Sequence, residues 1–196
     1  MKFLENPYQT SAVGFALTAV LGGGWIYMVG MPEGGAWVEQ VLRWTHFIAG
    51  ITWIGLLYFF NFINGAFLKS LDAAQKGVVV PRLMPSALNW FRHGATVTVL
   101  AGIGLIVLLH PTPSGTGDKA IWIGGALGII MMINVHAIIW PAQKKIIAMT
   151  AESAATGKPT PPEMAALGTR ALYASRINVL LSIPMLFFMA AAGHLK

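Results

Sequence analysis

Histidine offers the widest chemistry in this chain, because its imidazole can ligate a metal, transfer a proton or donate a hydrogen bond. Three of the five histidines, His46, His93 and His136, fall inside long apolar stretches. Ionisable side chains within membrane segments are rare and by default indicate function. For one such histidine taken alone, a hydrogen bond to a neighbouring helix is an equally good interpretation, so the positions of the three must be compared.

The histidines lie at two depths if each stretch is a helix rising about 1.5 Å per residue. His93 and His136 lie roughly 10–12 Å from the same face, on helices that run in opposite directions. His46 lies roughly 12 Å from the other face, where His110 and His194 end their helices. Two imidazoles at one depth are what a six-coordinate haem b between helices requires. We therefore predict one or two haems b. On the first side His93 and His136 would ligate the iron. On the second His46 would do so, with His194 as the favoured partner and His110 as the alternative.

Small residues and arginines stand near these histidines. Small residues would let a flat macrocycle approach the backbone, but they also mediate ordinary helix packing in membranes. Arg43 and Arg92 are close in sequence to candidate ligands and could pair with a haem propionate or act as snorkelling anchors. The small residues are Gly50, Gly55, Gly94, Ala95, Gly124, Gly125 and Gly128.

The remaining residue types narrow the chemistry. The chain has no cysteine, which excludes disulfides, zinc–thiolate sites, iron–sulfur clusters and covalently attached c-type haem. No nucleophile triad, phosphate loop or paired carboxylate is present, so the sequence does not favour a hydrolase or an NTPase. Four asparagines in the apolar stretches could bond between helices or to a ligand: Asn61, Asn64, Asn134 and Asn178.

Composition requires that these residues sit in a membrane. Of the 196 residues 56% are hydrophobic and 10% are charged, whereas a soluble domain has about 25% charged residues. Five stretches reach the roughly 20 apolar residues of a spanning helix. The sequence therefore predicts a single all-α transmembrane domain over residues 1–196. Its helices are expected near 11–30, 38–66, 86–110, 120–143 and 172–193.

Prolines and polar residues set the expected helix ends. Pro81 and Pro85 precede the third helix, and residues 146–168 are predicted to be a mobile linker. The first apolar stretch could instead be a signal peptide, since Lys2 precedes it. Its length of about 20 residues exceeds the usual 7–15 and no Ala-x-Ala-like site follows, which favours a retained helix.

Basic residues predict the orientation, with the N-terminus inside and the C-terminus outside. The net charge of +6 is then a topology signal and does not indicate nucleic acid. One set of helix ends carries Lys2, Lys69, Lys76, Arg82, Arg92, Lys144, Lys145, Lys158, Arg170 and Arg176, and the other carries Arg43, Lys119 and Lys196.

Five motifs stand out along the chain: RWTHFIAGITWIG at 43–55, YFFNF at 58–62, WFRHGA at 90–95, the stretch 134–143, and 174–178 with 182–189 and the trailing His194. Together they resemble the N-terminal membrane domain of bacterial membrane-bound urate oxidases. These matches run through helices two to five. A weaker likeness, the Trp-x-His on an early helix, is to haem-binding membrane protoporphyrinogen oxidases.

The resemblance implies a membrane protein that oxidises a small substrate and passes electrons to a cytochrome c module. Enzymes of that family usually continue into a longer membrane domain and a C-terminal c-type cytochrome, so we expect a truncated relative. The resemblance assigns no urate-binding residues here.

Three functions follow as hypotheses. The first is a haem b electron-transfer subunit, multi-pass in the bacterial inner membrane, that works with partner membrane subunits or a cytochrome c. The second is a membrane-bound oxidase of urate or another small molecule. The third is a non-catalytic structural subunit of a membrane complex. In each case membrane lipid is a partner and nucleic acid is not.

Overall fold

The computed structural model describes residues 2–31, 34–110 and 115–192, and over these ranges it contains helices and no strand. Five helices are long and apolar enough to cross a membrane, which confirms the predicted all-α membrane architecture. The chain divides into two compact units, residues 1–41 and 42–196. That residues 1–196 form a single domain stays a prediction.

The first unit is built around helix α1 (Pro7–Val29), which follows a short 3₁₀ turn at Lys2–Glu5. Asn6 caps the helix, because its side chain accepts hydrogen bonds from the backbone N–H of Tyr8 at 2.9 Å and of Gln9 at 3.3 Å. The helix ends at Gly30, whose φ of 90° suits glycine. The predicted first span is therefore present and begins about one turn earlier than expected.

The second unit contains four spans joined by short connections. Two of the spans carry π-helical segments, in which hydrogen bonds skip one residue more than in an α-helix. The second span comprises α2 (Ala36–Tyr58), of which residues 42–58 belong to this unit, a π segment at Phe59–Asn64, and α3 (Gly65–Ser70). The third span is α4 (Ala73–Leu109). The fourth span comprises α5 (Thr116–Asn134), a π segment (Val135–Ile139) and α6 (Trp140–Thr156). The fifth span is α7 (Glu163–Ala192).

Helix α4 begins 13 residues before the predicted start at residue 86, and Pro81 and Pro85 lie inside it. A capping box starts the helix: the Asp72 carboxylate accepts from the Gln75 N–H at 2.7 Å, and Gln75 Oε1 accepts from the Asp72 N–H at 2.9 Å. Each proline removes one helical hydrogen bond. The apolar packing of this stretch, where Val80 is 8% exposed, keeps it helical.

The predicted linker 146–168 is wrong over most of its length, because α6 continues to Thr156 and α7 begins at Glu163. Packing holds the first part in place. A Cβ at Gly77 of α4 would lie 2.7 Å from the Cβ of Ala154, so these two helices approach closely here. The connection that is left covers residues 157–162.

Helix α4 lies between two neighbours. On one face a Cβ at Gly94 would stand 3.3 Å from the backbone nitrogen of Trp53 in α2. On the opposite face Thr96 bonds to His136 of the fourth span. Helix α7 packs on α5, where a Cβ at Gly124 would lie 3.2 Å from Met189.

Most of the apolar surface faces outwards. In the second unit 22–28% of the residues in each apolar window are buried inside the protein. Ile51, Leu180 and Phe187 are 74%, 67% and 66% exposed. An apolar surface of this extent belongs in contact with lipid, so the chain is a multi-pass membrane protein.

Single cysteines will test the orientation, because the chain has none of its own. Thr160 in the connection 157–162 and Lys119 in the first turn of α5 are both exposed and lie at opposite ends of the fourth span. With the N-terminus inside, Thr160→Cys should resist a membrane-impermeant maleimide in spheroplasts, and Lys119→Cys should react. The reverse labelling pattern would invert the orientation.

Candidate functional site

The imidazole of His46 is held by a hydrogen bond to the backbone of α4. Its Nδ1 lies 2.8 Å from the carbonyl oxygen of Thr98. A carbonyl oxygen only accepts, so Nδ1 carries the hydrogen. In the neutral ring Nε2 then keeps its lone pair. Metal-ligating histidines almost always donate their other N–H to a carboxylate, carbonyl or water in this way, and the predicted role of His46 as a ligand would use Nε2.

Gly102 provides the space for this ring. A Cβ at position 102 would stand 3.1 Å from Cε1 and 3.3 Å from Nδ1 of His46. Any side chain there would press on the imidazole and on its bond to Thr98. Neither Gly102 nor Thr98 was identified from the sequence. The signal for both was the four-residue spacing of Gly94, Thr98 and Gly102, which places them on one face of α4.

Of the two predicted partners of His46, the structure describes His110. His194 falls outside the described residues. His110 ends α4 with a φ of 47°, and its Nδ1 donates to the Leu108 carbonyl at 3.2 Å. It lies eight residues beyond Gly102, about 12 Å along the helix, so the structure does not bring His110 to His46. Arg43 lies three residues before His46 on α2.

A second polar cluster surrounds Arg92 on α4. The Nη2 of Arg92 donates to Asn89 Oδ1 at 3.1 Å and also lies 3.1 Å from His93 Nε2. Because a guanidinium only donates, His93 Nε2 is the acceptor. The Arg92 Cζ also stands 4.5 Å from the ring centroid of Trp140, a cation–π contact.

His136 joins this cluster from the π segment of the fourth span. Its Nε2 lies 2.9 Å from the Thr96 hydroxyl, which itself donates to the Arg92 carbonyl at 3.1 Å. Nε2 of His136 is therefore the donor. As the structure stands, the Nε2 of His93 and the Nε2 of His136 both take part in hydrogen bonds. Ligation of one haem by this pair stays a prediction, and it requires both bonds to be exchanged for iron.

The two histidine sites flank α4. Thr96 and Thr98 differ by two residues, about 200° around the helix, so the His136 cluster and the His46 site lie on opposite faces. Along the axis, Thr96 and Gly102 are separated by about 9 Å. The two sites therefore lie on different sides of one helix, and the two membrane depths stay a prediction.

The small residues divide into two groups. Gly94 and Gly124 serve helix packing, and Gly50 makes an ordinary contact with Thr98 at 3.7 Å. A Cβ at Gly55 or Gly128 would meet nothing within 4 Å among the described residues. The alternative explanation offered by the sequence, helix packing, therefore accounts for Gly94 and Gly124.

All four asparagines bond between helices, one of the two roles predicted for them. Asn134 Nδ2 donates to Asn178 Oδ1 at 2.8 Å, and Asn178 Nδ2 donates to the Met131 carbonyl at 3.1 Å. Asn61 donates to Ser175 at 2.7 Å. This polar seam joins α7 to the second and fourth spans. Asn64 Nδ2 donates to Met84 Sδ of α4 at 3.6 Å.

Within the described ranges no three His, Asp or Glu side chains come together to hold a metal ion. A metal bound by protein groups alone is therefore not supported there. A haem would ask less of the protein, because the porphyrin supplies four nitrogens and one or two histidines would complete the coordination. None of the protein-family models, curated proteins or solved structures compared with the chain matches it.

Proposed function

We propose that this chain is a haem b-binding electron-transfer protein of the bacterial inner membrane, working with partner membrane subunits or a cytochrome c. The observation that carries the proposal is His46: its Nδ1 bonds to the Thr98 carbonyl at 2.8 Å, which leaves Nε2 for iron. Gly102 stands against the ring and leaves the space that holds it in this position.

The residues divide the work between binding and orientation. His46 would supply an axial ligand, with His194 as its predicted partner. Thr98 fixes the tautomer and the ring plane, and Gly102 leaves room for them. Arg43, three residues from His46, is the candidate for a propionate. The haem would supply reversible one-electron chemistry, and the surrounding apolar helices would keep water from it.

A second haem at His93 and His136 is part of the proposal. Arg92 already places its guanidinium beside His93 Nε2 at 3.1 Å, and in a loaded site it could turn to a propionate. Thr96 would then lose its bond to His136. The family resemblance implies urate oxidation, but the geometry of the described residues assigns no urate-binding residue. Electron transfer is therefore the function we favour.

A reduced-minus-oxidised spectrum of the purified protein tests the proposal. We expect the sharp α-band of a six-coordinate b-type haem, and a pyridine haemochrome assay should give one haem per chain, or two if His93 and His136 also ligate. Protein purified from haem-replete cells without bound haem would overturn the proposal. Reduction of the haem on addition of urate would favour the oxidase hypothesis.

A further inference from the structure

A groove of about 590 Å³ opens between the fourth span and α7. Asn134 and Ile138 line it on one side, and Thr169, Tyr173 and Ile177 line it on the other. The residues on α7 recur every three or four positions, so the groove runs along the helix. Tyr173 is 65% exposed and Ile177 is 53% exposed, so the groove is open to the surrounding lipid.

A second cavity of about 70 Å³ adjoins the groove, since Ile138 and Arg170 line both. Lys145 lines this smaller cavity. Arg170 therefore lies where the groove and the smaller cavity meet, and Lys145 places a second positive charge at the smaller cavity. In the part of the chain that the structure describes, no carboxylate lines either cavity.

The charged and apolar parts are ordered along the helix axes. Lys145 comes seven residues after Ile138, and Arg170 comes seven residues before Ile177. Because α6 and α7 run in opposite directions, both cations lie at the same end of the groove, and each is about 10 Å along its own helix from Ile138 or Ile177. Tyr173 is about 5 Å from Arg170 along α7. The longer distance is a third of the roughly 30 Å hydrocarbon layer. A headgroup at the interface with a chain pointing inward has this same order.

We infer that the groove binds one anionic phospholipid. Its phosphate lies at Arg170 and Lys145, and the first part of an acyl chain lies along Ile138, Tyr173 and Ile177. Basic pockets between transmembrane helices recognise anionic headgroups in this manner. The inference does not depend on haem, and it assigns a role to two cations that otherwise serve only as topology signals.

Native mass spectrometry in a mild detergent tests the site, using phosphatidylglycerol and phosphatidylcholine with identical acyl chains. The wild type should retain phosphatidylglycerol on the order of tenfold more strongly. The double variant Lys145→Gln with Arg170→Gln should bind both lipids alike. The matched control is Lys144→Gln with Arg176→Gln, which removes the same charge from exposed positions outside both cavities and should keep the preference.

A third variant separates the chain from the headgroup. Tyr173 and Ile177 line the groove and are exposed, so the double variant Tyr173→Ala with Ile177→Ala should weaken retention of both lipids with the cations intact. Inorganic phosphate at millimolar concentration should not displace phosphatidylglycerol, because it lacks the apolar contact. Three results would overturn the inference: equal retention of both lipids by the wild type, equal loss in the control variant, or displacement by phosphate.

Discussion

Replacing His46 by alanine should lower the haem content of the purified protein by one haem per chain. The variant loses Nε2, the nitrogen left available by the bond from Nδ1 to the Thr98 carbonyl. Haem is held at such a site by its axial ligands and by packing, so losing a ligand should release it during purification. The pyridine haemochrome assay measures the change, from one haem to none or from two to one.

The matched control is His110→Ala. His110 ends α4, and among the described residues it hydrogen-bonds to the nearby Leu108 carbonyl, so this variant should keep the wild-type haem content. Gly102→Leu gives an independent readout: His46 is unchanged, but a side chain would stand 3.1 Å from its ring, and haem should again be lost. An unaltered haem-to-protein ratio in His46→Ala would remove His46 from the proposal.

Gly94→Leu should destabilise the protein strongly. A Cβ at this position would lie 3.3 Å from the Trp53 backbone nitrogen and 3.4 Å from the Ala49 carbonyl oxygen. These are backbone atoms, so α2 and α4 must separate to admit a leucine. Overpacking of this kind costs about 1–3 kcal/mol, and we expect the thermal midpoint in detergent to fall by roughly 5 °C or more.

Gly55→Leu is the control for that experiment. Gly55 lies on the same helix, α2, and a Cβ there would meet nothing within 4 Å. The leucine would face lipid and leave the midpoint unchanged, as followed by circular dichroism. Because Thr98 is one turn from Gly94, separation of the helices should also break the bond to His46, and Gly94→Leu should lose haem. Equal midpoints for the two variants would contradict the close contact.

The five spans were predictable because a run of about 20 apolar residues has few alternatives to a membrane helix. The ends were not. Pro81 and Pro85 usually indicate a helix boundary, but the capping box at Asp72 and the burial of Val80 and Met84 outweigh the two lost hydrogen bonds. Similarly, residues 146–156 read as polar, but their packing against α4 keeps them helical.

The candidate site was predictable only in part. His46, His93 and His136 were found because charged or ionisable groups in a membrane segment are rare. Their partners depend on the register of one helix against another, which the sequence alone does not provide. Gly102 opposite His46 and Thr96 opposite His136 are both of this kind. The π segments, which shift the register within a span, were not foreseen for the same reason.

The lengths of α4 and the fourth span affect how the protein meets bilayers of different thickness. With 37 and 40 residues they measure about 55 Å and 60 Å, nearly twice the roughly 30 Å hydrocarbon layer. Helices that end at the membrane surface must tilt, or deform the lipid, when the bilayer thickens. Spans of this length exceed the hydrocarbon layer by about 25–30 Å. A thicker bilayer would therefore cover further turns of α4 and of the fourth span, and neither span would need to end inside the hydrocarbon.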